Sequence, residues 1–298
     1  MNATTTLLDK LLIAPPIARL HSSIYDAAHV AVSMARFDAV HPSINGNKPF
    51  KLYYNIQKAL QQQNSALLTF GGPYSNHVAA TAATGNLLNL QTIGLIRGDE
   101  LTAQSNKTLK QAELHDMHLH FVSRSEYSLR NQPAYLAQLQ CKFPNAFIIP
   151  EGGDNSEGVK GAALMLLGIA NSYSHIITAV GTGATCSGIA LGSNSIICGI
   201  VVHKQLQDVH ARIQKNLNDN EKVRSHIKLI GDFHFGGYGK RNNQLSCYCN
   251  SFYHKHGIAI EPIYTGKMMY GVDALVRNNY FEPGANILCL HTGGLQYL

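Results

Sequence analysis

Eight apolar runs of strand length, separated mostly by segments with helical periodicity, constrain this chain more than any other feature: 67–70, 92–96, 118–122, 146–149, 175–180, 196–202, 228–231 and 287–290. That alternation predicts an α/β fold, with parallel sheets flanked by helices and functional groups at the carboxyl ends of strands. Four of the runs lead into glycine turns. Phe70 enters Gly71-Gly72, Ile149 is followed after Pro150-Glu151 by Gly152-Gly153, Val180 enters Gly181-Thr182-Gly183, and Leu290 precedes Thr292-Gly293-Gly294. Four such turns would put backbone N–H groups around a shared cleft.

At 298 residues the chain exceeds one ordinary compact domain, which predicts two lobes or one large α/β domain with an insertion. No repeat, low-complexity tract or Pro-rich linker marks a boundary. Charged residues are only 14%, against roughly 25% in an average soluble chain, so much of the surface is expected to be polar-neutral or buried in an oligomer. The longest apolar runs fall well short of the roughly 20 residues of a membrane span. Residues 1–12 lack the basic start and apolar core of a secretory signal, so a cytoplasmic protein is expected.

The six cysteines are scattered, several inside apolar runs, which suits free buried thiols better than a disulfide framework. Cys247 and Cys249 form a lone C-x-C with no second pair at ligand spacing, and His115, His118 and His120 lack the spacing of a facial metal site, so no metal is expected. The net charge of +6 comes without a basic run or aromatic-basic interleaving, which disfavours nucleic acid and is compatible with anionic small molecules.

Three segments carry candidate chemistry. In Gly46-Asn47-Lys48-Pro49-Phe50-Lys51-Leu52, Pro49 sits where a helix could begin, which places Lys51 in its first turn. There the positive end of the helix dipole and partial desolvation lower an amine's pKa and make it a better Schiff-base nucleophile. The plain alternative is a pair of solvated lysines. In Gly71-Gly72-Pro73-Tyr74-Ser75-Asn76-His77 a strand turns into a helix starting near Ser75, whose N-terminal N–H groups suit a carboxylate. Ser75 reads equally as an ordinary helix cap. Gly181-Thr182-Gly183-Ala184-Thr185 is neither a P-loop nor a dinucleotide fingerprint. Its composition suits a phosphate monoester held by backbone N–H groups and the Thr182 and Thr185 hydroxyls, or a tight turn without ligand.

These segments, with Pro150-Glu151-Gly152-Gly153, Tyr264-Thr265-Gly266-Lys267 and His291-Thr292-Gly293-Gly294, occur in an order that resembles the family of D-cysteine desulfhydrase and 1-aminocyclopropane-1-carboxylate (ACC) deaminase. The resemblance runs from about Ile44 to Gly294. It implies a two-lobed fold-type II (tryptophan synthase β-like) pyridoxal-phosphate enzyme, with 1–50 plus 152–298 as a larger cofactor-binding domain and 51–151 as a smaller mobile one. A homodimer and a small amino-acid substrate are the family's expectation.

Residue by residue, the resemblance implies a Schiff base between Lys51 and the cofactor, with Lys48 as its neighbour. Asn76 would bond the ring hydroxyl, and Gly181, Thr182, Gly183, Ala184 and Thr185 would hold the phosphate. Thr292 would approach the pyridine nitrogen. Ser75, Asn76 and His77 would meet the substrate, with Tyr264 and Tyr238 over it; Lys51, Ser75, Tyr264 and Tyr238 are the candidate catalytic residues.

Thr265 departs from the ACC deaminase pattern, where Glu follows the tyrosine. A carboxylate beside the pyridine nitrogen would strengthen the electron sink, whereas a hydroxyl leaves that nitrogen largely neutral. The Thr therefore fits expulsion of a β-thiolate better than opening of a cyclopropane. Pro73-Tyr74 and Phe50 also depart from the pattern and would make the site mouth more aromatic.

The reaction so implied is α,β-elimination: Lys51, or a relay through Ser75, takes the α-proton, and D-cysteine yields pyruvate, ammonia and hydrogen sulfide. ACC deamination, another β-elimination or racemisation, and a catalytically idle binding protein of the same fold are the alternatives.

Overall fold

The computed structural model describes residues 7–44, 46–169 and 172–295. The start of the chain, where export signals were sought, lies partly outside them, as does Asn45. The chain divides into two compact units. The first comprises the N-terminal stretch to Leu12, His41–Ile44 and Lys48–Gly161; the second comprises Ile13–Val40, the short piece ending at Asn47, and the chain from Ala162 onward.

The first unit is built on a four-stranded sheet in the order β5-β4-β3-β6, from β3 (Ala66–Gly71), β4 (Gln91–Arg97), β5 (Met117–Val122) and β6 (Ala146–Ile149), all parallel. β3 is central and every residue of it is buried, which is why Ala-Leu-Leu-Thr-Phe-Gly reads as a continuous apolar run rather than an alternating one. β5 lies at the edge, and there the sequence admits His118 and His120. One face of the sheet meets the helices Lys48–Gln61 and Asn76–Leu88 through Leu52, Ile56, Leu67, Ala80 and Ala83. Fully burying a Leu or Ile side chain stabilises by about 1.5–3 kcal/mol.

The second unit holds a six-stranded sheet in the order β1-β2-β10-β7-β8-β9, from β1 (Ile17–Leu20), β2 (Ala31–Arg36), β7 (His175–Val180), β8 (Ile196–Val201), β9 (Ile227–Ile230) and β10 (Asn286–His291). All its pairings are parallel except β1 with β2. Met34, Ile177, Ile200, Ile287 and Cys289 pack there against Met268, Met269 and Val272 of the helix Thr265–Arg277.

Each of the eight expected strands is present, and the parallel α/β architecture is as the alternation predicted. β1 and β2 are additions. Among the described residues no helix is long and apolar enough to cross a membrane. The six cysteines are free thiols, with Cys141 and Cys247 exposed and the other four buried.

Candidate active site

In the first unit, Lys51 lies in the first turn of the helix Lys48–Gln61 and is 4% exposed. Proline at the second position suits such a start, because its missing N–H is one the first turn leaves unbonded anyway. Burial is the main force on the amine: it pushes the Lys51 ammonium down to about 8, against an opposing pull from Asp154. The solvated-lysine reading is thus overturned for Lys51.

His77 is buried beside it. Burial, then the charges of Lys51 and Lys48, hold its imidazole well below the usual range, and neither ring nitrogen has a hydrogen-bond partner. Gly153 brings the two together. A Cβ added there would stand 3.5 Å from His77 Cε1 and 3.5 Å from Lys51 Cβ and Cε, and its φ of +63° is one that side chains disfavour.

Ser75 caps the helix Asn76–Leu88, its Oγ accepting the Val78 N–H at 3.3 Å. The ordinary-cap reading is therefore realised, while the hydroxyl proton stays available to a ligand. Asn76 Oδ1 is buried with no partner. Phe50 is buried rather than at a mouth, because its side chain turns inward from the helix start; Tyr74 is 55% exposed.

In the second unit the loop 181–185 leaves β7 and opens the helix Ala184–Leu191. Gly183 stands at the cap position with φ +101° and no side chain to cap the helix. The N–H groups of that first turn therefore point toward whatever occupies the loop, the arrangement that binds phosphate at helix starts. Thr292 follows the last residue of β10, the strand next to β7, so the loop and Thr292 share one sheet edge.

Asn47 ties these two features. Its side-chain amide donates to Thr185 Oγ1 at 2.9 Å and its backbone N–H donates to the Thr292 carbonyl at 3.3 Å. Gly46 makes the approach possible, since a Cβ there would sit 2.1 Å from the Thr292 oxygen. Asn47 carried no role in the sequence reading, although its place in Gly-Asn-Lys was the signal.

Tyr264 packs against the loop, its ring 3.3 Å from where a Gly181 Cβ would be, and meets Tyr238 edge-on with centroids 5.8 Å apart. Two buried charges that the sequence reading did not single out hold this corner. The Glu261 carboxylate accepts the N–H groups of Ile263 (2.6 Å), Tyr264 (3.0 Å) and Thr265 (2.7 Å). Burial pushes Glu261 up to about 7 while those donors pull it down. Lys267, fully buried, donates to the carbonyls of Val202 (3.2 Å) and Gly237 (2.8 Å), and so fixes the backbone next to Tyr238. Burial lowers its ammonium to about 8. The Thr265 hydroxyl is fully buried beside the Glu261 carboxylate, which it also helps to hold.

The two sets, each within its own unit, fit the cofactor that the motifs imply. The first offers a desolvated amine, the unpartnered imidazole of His77 beside it and, next in the chain to His77, the unpartnered Asn76 Oδ1; the second offers an uncapped helix start and the hydroxyls of its loop. Among the described residues no three His, Cys, Asp or Glu side chains come together as a metal would require.

Known proteins share this chain's sequence pattern and its fold. Residues 34–293 match the model of a family described as pyridoxal-phosphate dependent enzymes. D-cysteine desulfhydrase of Yersinia enterocolitica is 28% identical, over 96% of this chain and 93% of that protein. The mitochondrial bifunctional D-cysteine desulfhydrase/1-aminocyclopropane-1-carboxylate deaminase of Arabidopsis thaliana is also 28% identical, over 87% of this chain and 71% of that protein. The crystal structure of an ACC deaminase homologue superposes with a TM-score of 0.80 at 24% identity, covering 99% of this chain and 96% of that one, which shows a shared fold.

Proposed function

This chain belongs to the family of pyridoxal-phosphate dependent enzymes, and we propose that it is a lyase that eliminates a β-substituent from a small amino acid, with D-cysteine as the model substrate. The observation that carries the reading is Lys51: a buried amine whose ammonium is pushed down to about 8, and which is therefore partly neutral and nucleophilic near neutral pH. Pyridoxal phosphate supplies an aldehyde that condenses with amines and a ring that spreads the negative charge left on Cα when its proton departs.

The protein's own residues do the rest. Lys51 Nζ is the amine that would hold the cofactor aldehyde and, when free, would take the substrate's Cα proton. Ser75 donates its hydroxyl proton to the substrate carboxylate, while Asn76 and His77 complete that side. The loop 181–185 and the Thr185 hydroxyl, held by Asn47, bind the phosphate. Tyr264 and Tyr238 would cover the substrate, and Thr292 would help hold the cofactor ring. A neutral hydroxyl at Thr265, in place of a carboxylate, favours loss of a good leaving group over ring opening.

Relatives named D-cysteine desulfhydrase support the choice of thiolate as leaving group. Four buried free thiols suit a reducing cytoplasm, and the low charged fraction of 14% suits a homodimer. The test is release of keto acid and sulfide from D-cysteine, L-cysteine, β-chloro-D-alanine and ACC by the wild type and Lys51→Ala. Sulfide from D-cysteine that is lost in the variant is the expected result. Turnover of ACC alone would move the assignment to deaminase, and a cofactor-loaded protein inert toward all four would sink the elimination reading.

A further inference from the structure

The first unit contains a cavity of about 430 Å³ that the elimination chemistry does not account for, lined by Tyr74, Arg97, Asn106, Arg124, Tyr127 and Arg130 among others. It opens where three neighbouring parallel strands end: Tyr74 follows β3, Arg97 is the last residue of β4, and Arg124 lies just past β5. The carboxyl edge of such a sheet is where α/β proteins place ligands, and the volume is within the range of small-molecule sites.

Three guanidinium groups meet here, and two are matched by carboxylates. Arg124 pairs with Glu100 at 2.6 Å and Arg130 with Glu151 at 2.7 Å. Among the described residues Arg97 has no carboxylate within ion-pair distance; its guanidinium carbon lies 5.7 Å from the centre of the Tyr127 ring, and Arg130 lies 4.7 Å from the same ring. Arg97 also lies against the turn that leads to Ser75: its Nη2 is 3.4 Å from where a Cβ on Gly72 would be. A stacked guanidinium keeps its in-plane N–H fork free, and that fork matches the paired oxygens of phosphate, sulfate or carboxylate. The charge left over in the cavity is thus one positive charge, on Arg97, which lies against Gly72, three residues before the proposed carboxylate-binding serine.

We propose that Arg97 reads an oxyanion on the substrate's side chain, so that the preferred substrates are β-substituted amino acids whose leaving group is an anionic ester, as in O-phosphoserine. This rests on the elimination reading and narrows its substrate class. The reaction balances without a redox partner. The Cα proton passes to Lys51 Nζ, the Cβ–O bond breaks with its electron pair leaving on phosphate, a proton adds to the Cβ of the resulting enamine, and water replaces nitrogen at Cα to give pyruvate and ammonia. D-cysteine, lacking the distal anion, is then a poorer substrate of the same reaction.

Binding is measured on the holoenzyme by the change in cofactor absorbance on titration with 2-amino-3-phosphonopropionate, whose C–P bond cannot leave, and with alanine, each as both enantiomers. Inorganic phosphate at equal concentration serves as the ion control. Wild type is expected to bind the phosphono compound roughly tenfold or more tightly than alanine, the ratio of one charge-assisted hydrogen-bonded pair. That ratio should collapse in Arg97→Gln and be partly kept in Arg97→Lys, and kcat/KM for O-phosphoserine relative to β-chloroalanine should follow it. Equal ratios in wild type and Arg97→Gln, or a phosphono effect reproduced by inorganic phosphate alone, overturn the assignment of Arg97 while leaving the elimination reading intact. If no amino acid perturbs the cofactor, the elimination reading fails, and this assignment with it.

Discussion

The side-chain amide of Asn47 donates a hydrogen bond of 2.9 Å to Thr185 Oγ1, joining residues 138 positions apart in sequence. Thr185 belongs to the loop whose N–H groups we assign to the cofactor phosphate, and Asn47 directly precedes the helix that carries Lys51. The amide therefore fixes a hydroxyl rotamer at the phosphate end, while its own backbone N–H holds the Thr292 carbonyl.

Replacing Asn47 with Ala removes the first bond and keeps the second. A buried hydrogen bond contributes about 0.5–1.5 kcal/mol, so the cofactor dissociation constant is expected to rise up to about tenfold with little loss of fold. Titration of apoprotein with pyridoxal phosphate reads this directly. An unchanged constant would remove Thr185 from the phosphate site.

Lys51 makes the cofactor-free protein pH-sensitive in a defined direction. Its ammonium is pushed down to about 8 in the folded chain from an ordinary 10.5. Between those values the unfolded chain binds more protons, so this group makes stability rise with pH across that window and imposes a constant penalty below it. The penalty is on the order of 3 kcal/mol. Lys51→Met apoprotein is expected to be more stable than wild type near neutral pH, with the gap closing as pH approaches 10.5. Urea midpoints at several pH values measure it, and a gap independent of pH would contradict it.

Glu261 has the opposite sign. Burial raises its carboxyl from 4.5 to about 7, so the folded chain holds the extra proton in between, and this group's contribution falls as pH rises through that range. Its carboxylate still accepts three backbone N–H groups at the start of the helix Thr265–Arg277. Gln presents one acceptor and turns an N–H₂ toward donors. Glu261→Gln should therefore lower stability by about 1–3 kcal/mol and reduce turnover through a displaced Tyr264, seen as a lower kcat with cofactor still bound.

Thr265→Glu would introduce the deaminase-like carboxylate, but Thr265 is fully buried and its N–H already bonds Glu261 at 2.7 Å. Two carboxylates in one buried turn cannot both ionise cheaply. The single variant is expected to unfold several degrees earlier than wild type without gaining ACC turnover, while pairing it with Glu261→Gln should recover part of the loss. Thermal melts of the three variants decide this.

Much of the fold was legible because central parallel strands are buried on both faces and leave uninterrupted apolar runs, as in β3 and β7. β2 escaped notice although it lies between β1 and β10, because Ala-Val-Ser-Met-Ala-Arg mixes small and flexible side chains that carry no strand signature. Four-residue β1 is too short to show a period. At the site, Lys51 stood out by its motif, yet the principal cause of its lowered pKa is burial rather than the helix dipole. Asn47, Glu261 and Lys267 were missed for a common reason. Each acts by hydrogen bonds that hold other parts of the site, Asn47 and Lys267 on groups far away in sequence and Glu261 on the turn just after it, and no residue motif announces such a role.

The interleaving of the two units limits how the gene can be dissected. β2 comes from the first forty residues yet is the neighbour of β10. A single cut between Gly161 and Ala162 would give a C-terminal fragment whose sheet begins at β10, with Asn-Ile-Leu-Cys-Leu-His presented as a bare edge. Apolar edges of that kind recruit other strands. Such a half-protein is expected to aggregate when expressed alone, and to be rescued by co-expression with the N-terminal piece that returns β1 and β2 to the sheet.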